Sequence, residues 1–135
     1  AQIIATDIDP RAVAAARQNA RTAGVEKLIA FAVCPFAQTP IPEQGGVVIL
    51  NPPYGERTGE IAKLTSLYRE IGDYFKQKCR GYLGYIFTGN TTLGKHVGLR
   101  TKRRIIFYNS EIECRLLEYE LYDGTRRKEI IHDSK

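Results

Sequence analysis

Apolar residues gather in short runs along this chain, and two longer stretches between the runs carry them at helical spacing. "QIIATDID" is an apolar run closed by acids, which predicts a buried strand ending near Asp7. Asp9 before Pro10 is a good N-cap and first-turn pair. "PRAVAAARQNARTAG", rich in alanine and stopped by Gly24, therefore predicts a helix with Val13, Ala16, Ala20 and Ala23 as its buried stripe. "KLIAFAV" predicts a second strand, "CPFAQTPIPEQGG" with its prolines and glycine pair a loop, and "VVIL" a third strand. After "NPPYGERTG", the segment "EIAKLTSLYREIGDYFKQKC" places Ile61, Leu64, Leu67, Tyr68, Ile71 and Phe75 at helical spacing. That is a long amphipathic helix, with Gly72 an interruption inside it. "YLGYIFTG" predicts a fourth strand and "NTTLGKHVG" a short, poorly formed helix. "RRIIFYNSEIECRLLEYELY" predicts two strands that turn near "NSE".

Strands alternating with helices predict an α/β fold: a mostly parallel sheet with helices on both faces. The closing pair of strands has no helix between them, which predicts one antiparallel strand at an edge. The 135 residues fit one domain without repeats or linkers.

Composition narrows the function classes only a little. An apolar fraction of 43% with 26% charged residues describes an ordinary globular chain. No apolar run approaches the ~20 residues of a membrane span, and "AQIIATDIDP" lacks the basic start and long apolar core of a signal peptide. Cys34, Cys79 and Cys114 are odd in number and far apart, and His96 and His132 have no companions at metal spacing. These features predict reduced thiols in a cytoplasmic protein, with neither a metal site nor a disulfide framework. The net charge is +5 and the pI about 9.2, compatible with a nucleic-acid partner. Much of the excess lies in "GLRTKRR" (Arg100, Lys102, Arg103, Arg104) and "TRRK" (Arg126, Arg127, Lys128), where solvated surface charge is the plain alternative.

Two strand ends carry candidate chemistry. In an open parallel sheet, ligands bind at the carboxyl ends of the strands. Asp7 is placed there to hold a ribose by bidentate hydrogen bonds, with Ile8 flat against an adenine ring. An acid at a strand end can equally serve as a cap. "NPPY" is more specific. Pro52 and Pro53 fix φ and lack N–H donors, so the turn is rigid and presents carbonyls. Asn51 adds a side-chain acceptor. Two acceptors, Asn51 Oδ1 and the Pro52 carbonyl, can bind both N–H groups of a planar exocyclic amine and orient its nitrogen. Tyr54 offers a stacking face for a flat base, worth roughly 1–3 kcal/mol in single-strand recognition.

"NPPYGER" resembles the amine-methylation motif of class I S-adenosylmethionine-dependent methyltransferases. With "LYREIGDYFKQK", "YIFTGNTTLGKHVGLRTKRR" and "FYNSEIECRLLEYELY", the likeness covers nearly the whole chain. It points to the C-terminal part of the THUMP-associated bacterial 23S rRNA guanine-N2 methyltransferases, a family of RNA methylases. The resemblance implies a Rossmann-like sheet, S-adenosylmethionine as cofactor and rRNA as substrate. Asn51, Pro52, Pro53 and Tyr54 would be catalytic, and Asp7, Ile8, Phe36 and Asn51 would touch the cofactor. Tyr54, Arg57, Arg100, Lys102, Arg103 and Arg104 would hold RNA. Glu56 and Arg57 could contact substrate or simply pair with each other, and the "TGN" turn, Thr88 to Asn90, could line the base pocket or be an ordinary strand-end turn.

The chain departs from that family twice. It has no glycine-rich loop and opens on what corresponds to the second strand, so residues 1–135 are expected to be a partial catalytic domain, inactive alone. The family's central strand would lie between those ending at Asp7 and Asn51. Without it, the two are expected to close up or to recruit another chain. Second, no acid stands between Leu28 and Pro42 to hold the adenine amine; Cys34, Pro35 and Phe36 are there instead. Phe36 could stack on adenine or pack in the core. Two other readings stay open: an adenine-N6 methyltransferase on DNA or RNA, and a noncatalytic RNA-binding fragment.

Overall fold

A computed structural model describes residues 2–55 and 60–122 of the chain, which divides into two units, residues 1–42 and 43–135. The first is a βαβ unit. Strand β1 (Ile3–Asp7), helix α1 (Pro10–Thr22) and strand β2 (Ile29–Val33) follow one another, and β1 pairs in parallel with β2 from Ile3↔Ile29 to Asp7↔Val33. Helix α1 starts as its sequence dictates. The Asp9 carboxylate accepts the Arg11 N–H at 2.9 Å, and Pro10 takes the first turn, where a missing N–H costs nothing. The neighbouring Arg11 guanidinium and N–H hold the Asp9 carboxyl below the usual range. Of the expected stripe only Val13 and Ala20 are buried; Ala16 and Ala23 are exposed. Arg17 instead lays its guanidinium 5.4 Å from the centre of the Phe31 ring. Residues 26–28 form a 3₁₀ turn, so β2 begins two residues later than its apolar run.

The second unit holds β3 (Gly46–Leu50), α2 (Ile61–Lys78), β4 (Tyr82–Thr88), the short α3 (Thr91–Gly94), β5 (Arg103–Asn109) and β6 (Ile112–Glu120). Its sheet runs β3-β4-β6-β5. β3 and β4 are parallel, and β6 is antiparallel to both β4 and β5. The α/β class and the antiparallel closing strand are as expected, but that strand's position is not. The antiparallel strand β6 lies inside the sheet and β5 takes the edge. Asn109 pairs with Ile112, leaving Ser110 and Glu111 as a two-residue loop with Ser110 at φ 61°. Within the described residues β1 is paired with β2 and β3 with β4, in two separate sheets.

Strict alternation in β4 sets the core. Tyr82, Gly84, Ile86 and Thr88 are buried, and α2 packs on that face with Tyr68, Ile71 and Phe75 fully enclosed. Cys79 and Cys114 are free and buried, and burial pushes the Cys79 thiol up to about 11. Gly72 has a packing reason. A Cβ there would stand 1.7 Å from the Val97 carbonyl oxygen, in the 3₁₀ turn 95–97 that crosses α2.

The other parity of the same strands carries a polar cluster. Glu118 on β6 is buried, accepts two hydrogen bonds from Arg103 of β5 at 3.0 Å each, and accepts the Tyr85 hydroxyl of β4. Arg103 first, then Tyr85, pull the Glu118 carboxyl down to about 2 from a usual 4.5. A carboxyl depressed in the folded state stabilises above its unfolded pKa, and that stability is lost as pH falls. The melting temperature is therefore expected to fall between pH 4.5 and about 2, and to fall less steeply in Glu118→Gln. Identical slopes for the two proteins would exclude this role.

Candidate functional site: the Asn-Pro-Pro-Tyr turn

β3 and β4 run in parallel with Leu50 opposite Ile86, so "NPPY" and "TGN" emerge side by side at the carboxyl edge of the sheet. Asn51 is exposed, Pro52 buried and Tyr54 half-buried. No hydrogen bond within the described residues engages the Asn51 amide, so its carbonyl is open to a ligand.

A relay of hydroxyls holds the turn. The Tyr68 hydroxyl of α2 lies 3.2 Å from the Pro53 carbonyl and 2.8 Å from Thr88 Oγ1, and the Asn90 N–H reaches Thr88 Oγ1 at 3.1 Å. The Asn90 N–H donates to Thr88 Oγ1. Each hydroxyl has one proton: Tyr68 donates to the Pro53 carbonyl when Thr88 donates to Tyr68, and Thr88 Oγ1 also has the Asn90 carbonyl as an acceptor at 3.4 Å. Asn90 in turn caps α3, its Oδ1 accepting the Leu93 N–H at 3.1 Å. Burial raises the Tyr68 phenol, which keeps the donor protonated. Tyr68→Phe leaves a buried hydroxyl and a carbonyl short of a partner. We expect it to cost about 1–3 kcal/mol in urea unfolding; an unchanged midpoint would show that water replaces the hydroxyl.

Tyr54 meets the second half of this arrangement. A Cβ built on Gly89 would lie 2.7, 2.9 and 3.0 Å from Cε2, Cζ and Cδ2 of the Tyr54 ring. The ring thus occupies the space a side chain at 89 would take. Gly55 follows at φ 41°, a left-handed conformation that suits glycine and turns the chain away after the tyrosine.

The other candidate residues divide. In the first unit, Asp7 is exposed at the end of β1, its Oδ1 accepting the Asp9 N–H at 2.8 Å, and Ile8 is 70% exposed beside it. Phe36 is half-buried in a 3₁₀ turn, residues 36–38. In the second unit Arg100 and Arg104 are exposed, while Lys102 pairs with Glu120 at 3.5 Å and Arg103 is engaged by Glu118. Glu56, Arg57, His132 and the cluster Arg126, Arg127 and Lys128 lie outside the described residues. Among the described residues no three His, Cys, Asp or Glu side chains come together as a metal site. The sequence places Tyr68 in a core stripe and Gly89 only within the "TGN" turn, without a role of its own. Their signal was a hydroxyl on an otherwise apolar helix face and a glycine directly after a strand.

This α/β fold, with an Asn-Pro-Pro-Tyr turn at a strand's carboxyl edge, is that of the methyltransferase class. The chain belongs to the family UPF0020, RMKL-like, methyltransferase domain, which it matches over residues 1–118. It is 40% identical over 123 residues to the ribosomal RNA large subunit methyltransferase K/L of Syntrophotalea carbinolica, covering 88% of this chain and 17% of that protein. The chain thus spans well under a third of that relative's length. Among solved structures it is similar to SMU.472 complexed with SAH, at a TM-score of 0.81 and 28% identity, over 91% of this chain and 32% of the other. A predicted N6-adenine-specific DNA methylase from Listeria monocytogenes aligns at a TM-score of 0.74 and 32% identity, over 88% of this chain and 30% of the other.

Proposed function

We propose that this chain is the amine-orienting part of an S-adenosylmethionine-dependent RNA methyltransferase, acting on an exocyclic base amine, guanine N2 of 23S rRNA. One observation carries the reading: the exposed Asn51 amide, with no partner among the described residues, stands on a turn braced from beneath by Tyr68 and Thr88. The name and identity of the Syntrophotalea relative support rRNA as the substrate.

When bound, S-adenosylmethionine supplies an activated methyl group and its leaving group. The first unit has groups suited to hold it: the Asp7 oxygen not taken by Asp9 accepts from a ribose hydroxyl, and Ile8 offers exposed apolar surface to a flat ring. The Asn51 and Pro52 carbonyls would accept hydrogen bonds from the two amine N–H groups and aim the nitrogen lone pair, while Tyr54 would stack on the base. Such orientation is worth roughly 7–11 kcal/mol over a bimolecular encounter when the geometry is near attack. The base must leave its stack, at a cost of a few kcal/mol. Arg100 and Arg104 can hold the neighbouring phosphates.

Within the described residues β1 and β3 each have one unpaired edge, and the chain spans 17% of the Syntrophotalea relative's length. We accordingly expect weak cofactor binding by residues 1–135 alone, measured by calorimetry, and stronger binding by the full-length protein.

The deciding experiment transfers a labelled methyl group to rRNA and digests the product to nucleosides. N2-methylguanosine is the expected product. N6-methyladenosine would favour the second reading, which the name of the Listeria neighbour supports. No labelled nucleoside would leave a noncatalytic RNA-binding role.

A further inference from the structure

We propose that Gly89 is a positioning residue: its missing side chain fixes where the Tyr54 ring stands, and so the plane on which the acceptor base stacks. The inference rests on the amine-methylation reading and adds to it the element that sets the base's height over the Asn51 clamp.

Backbone geometry does not explain this glycine. Gly89 is absent from the positive-φ glycines, so an alanine can adopt its conformation. The space explains it. The three atoms a Cβ would meet first all belong to the Tyr54 ring, the nearest at 2.7 Å, where ordinary contact begins at 3.4 Å.

Neither backbone can step back to relieve that overlap. Thr88, before the glycine, is held through Oγ1 by Tyr68, and Asn90, after it, is held by its N–H to Thr88 and its cap on α3. On the other side Pro52 and Pro53 fix φ, and the Pro53 carbonyl is held by the same Tyr68 hydroxyl. One pair of hydroxyls therefore pins both segments, and the Tyr54 side-chain torsions are what remains to move. Alanine at 89 would displace the ring by about 1 Å, a misplacement that can cost 100-fold in rate.

The test is a double-mutant cycle in the full chain, with methyl transfer to rRNA and thermal melting measured for wild type, Gly89→Ala, Tyr54→Ala and the double variant. We expect Gly89→Ala to lower kcat/KM by about 100-fold, chiefly in kcat, with little change in melting. Added to Tyr54→Ala, the same substitution should have no further effect, because the ring it displaces is gone. A Gly89 with an ordinary structural role would lower melting in both backgrounds.

If Tyr54→Ala impairs transfer and Gly89→Ala does not, this inference fails while the proposed function stands. Losses that multiply in the double variant also overturn it, since Gly89 would then act apart from Tyr54. If Tyr54→Ala leaves transfer unchanged, or the wild-type chain transfers no methyl group, the site reading fails and takes this inference with it. Should Gly89→Ala alone prevent folding, the Tyr54→Ala background must restore the fold; failure to do so overturns the inference.

Discussion

Replacing Asn51 by alanine is expected to lower methyl transfer by about 100- to 1,000-fold, the range for losing one group that stabilises a transition state, while S-adenosylmethionine affinity is kept. The residue stands on a turn that it does not hold together. Its amide makes no hydrogen bond within the described residues, whereas Pro53 is braced by Tyr68 and Pro52 is buried. Truncating it therefore removes an acceptor and leaves the scaffold. The amine loses one of two partners, keeps a free rotation about the other, and spends less time with its lone pair in line. Because that alignment matters in the transition state more than in the bound state, the loss should fall on kcat rather than KM. Single-turnover transfer together with calorimetry of the cofactor checks both halves. Full activity in Asn51→Ala would sink the clamp; loss of cofactor affinity would move Asn51 from the base to the donor side of the site.

Gly72→Ala should give the largest loss of stability. In a free helix the change would help, since alanine is about 1 kcal/mol better than glycine. Here the added Cβ lands 1.7 Å from the Val97 carbonyl oxygen, 2.8 Å from its carbon and 3.3 Å from its Cα. All three are backbone atoms, so no rotamer change relieves the overlap. The 3₁₀ turn 95–97 must lift off α2, opening the contacts of Val97 and Leu93, both almost fully buried. Overpacking of this kind costs about 1–3 kcal/mol and sometimes more. A net loss of about 2 kcal/mol should lower the melting temperature by roughly 6–10 °C in a chain of this size. A melting temperature equal to or above wild type would show that the turn is not seated on Gly72. The substitution also bears on the site. The displaced turn continues α3, whose cap is Asn90, so the strain reaches the residues flanking Gly89.

The two substitutions show how differently strand ends and contacts are written in a sequence. "NPPY" after "VVIL" was legible because its chemistry is local: two fixed φ angles, a missing pair of donors and an amide in consecutive positions. The elements themselves were legible for the same reason. Period-two burial in β4 and helical spacing in α2 follow from the residues next door. The strand order was not. Which strand β6 pairs with depends on competing long-range ladders, and a two-residue hairpin is equally consistent with β5 or β6 at the edge. Gly72 stood out in the sequence only as an interruption, because its reason lies 25 residues away in the Val97 carbonyl.

By itself the sequence determined the α/β class, the rigid acceptor turn and its family, since each is carried by short-range periodicity or by adjacent residues. Tertiary structure alone decided that Tyr68 and Thr88 meet beneath that turn, that Glu118 gathers Arg103 and Tyr85, and that Gly89 makes room for Tyr54. Each of these depends on distance between side chains that only packing brings together. A hydroxyl, a carboxylate or an absent Cβ acquires its role from what stands within a few ångströms of it, and residue order alone does not specify that neighbour.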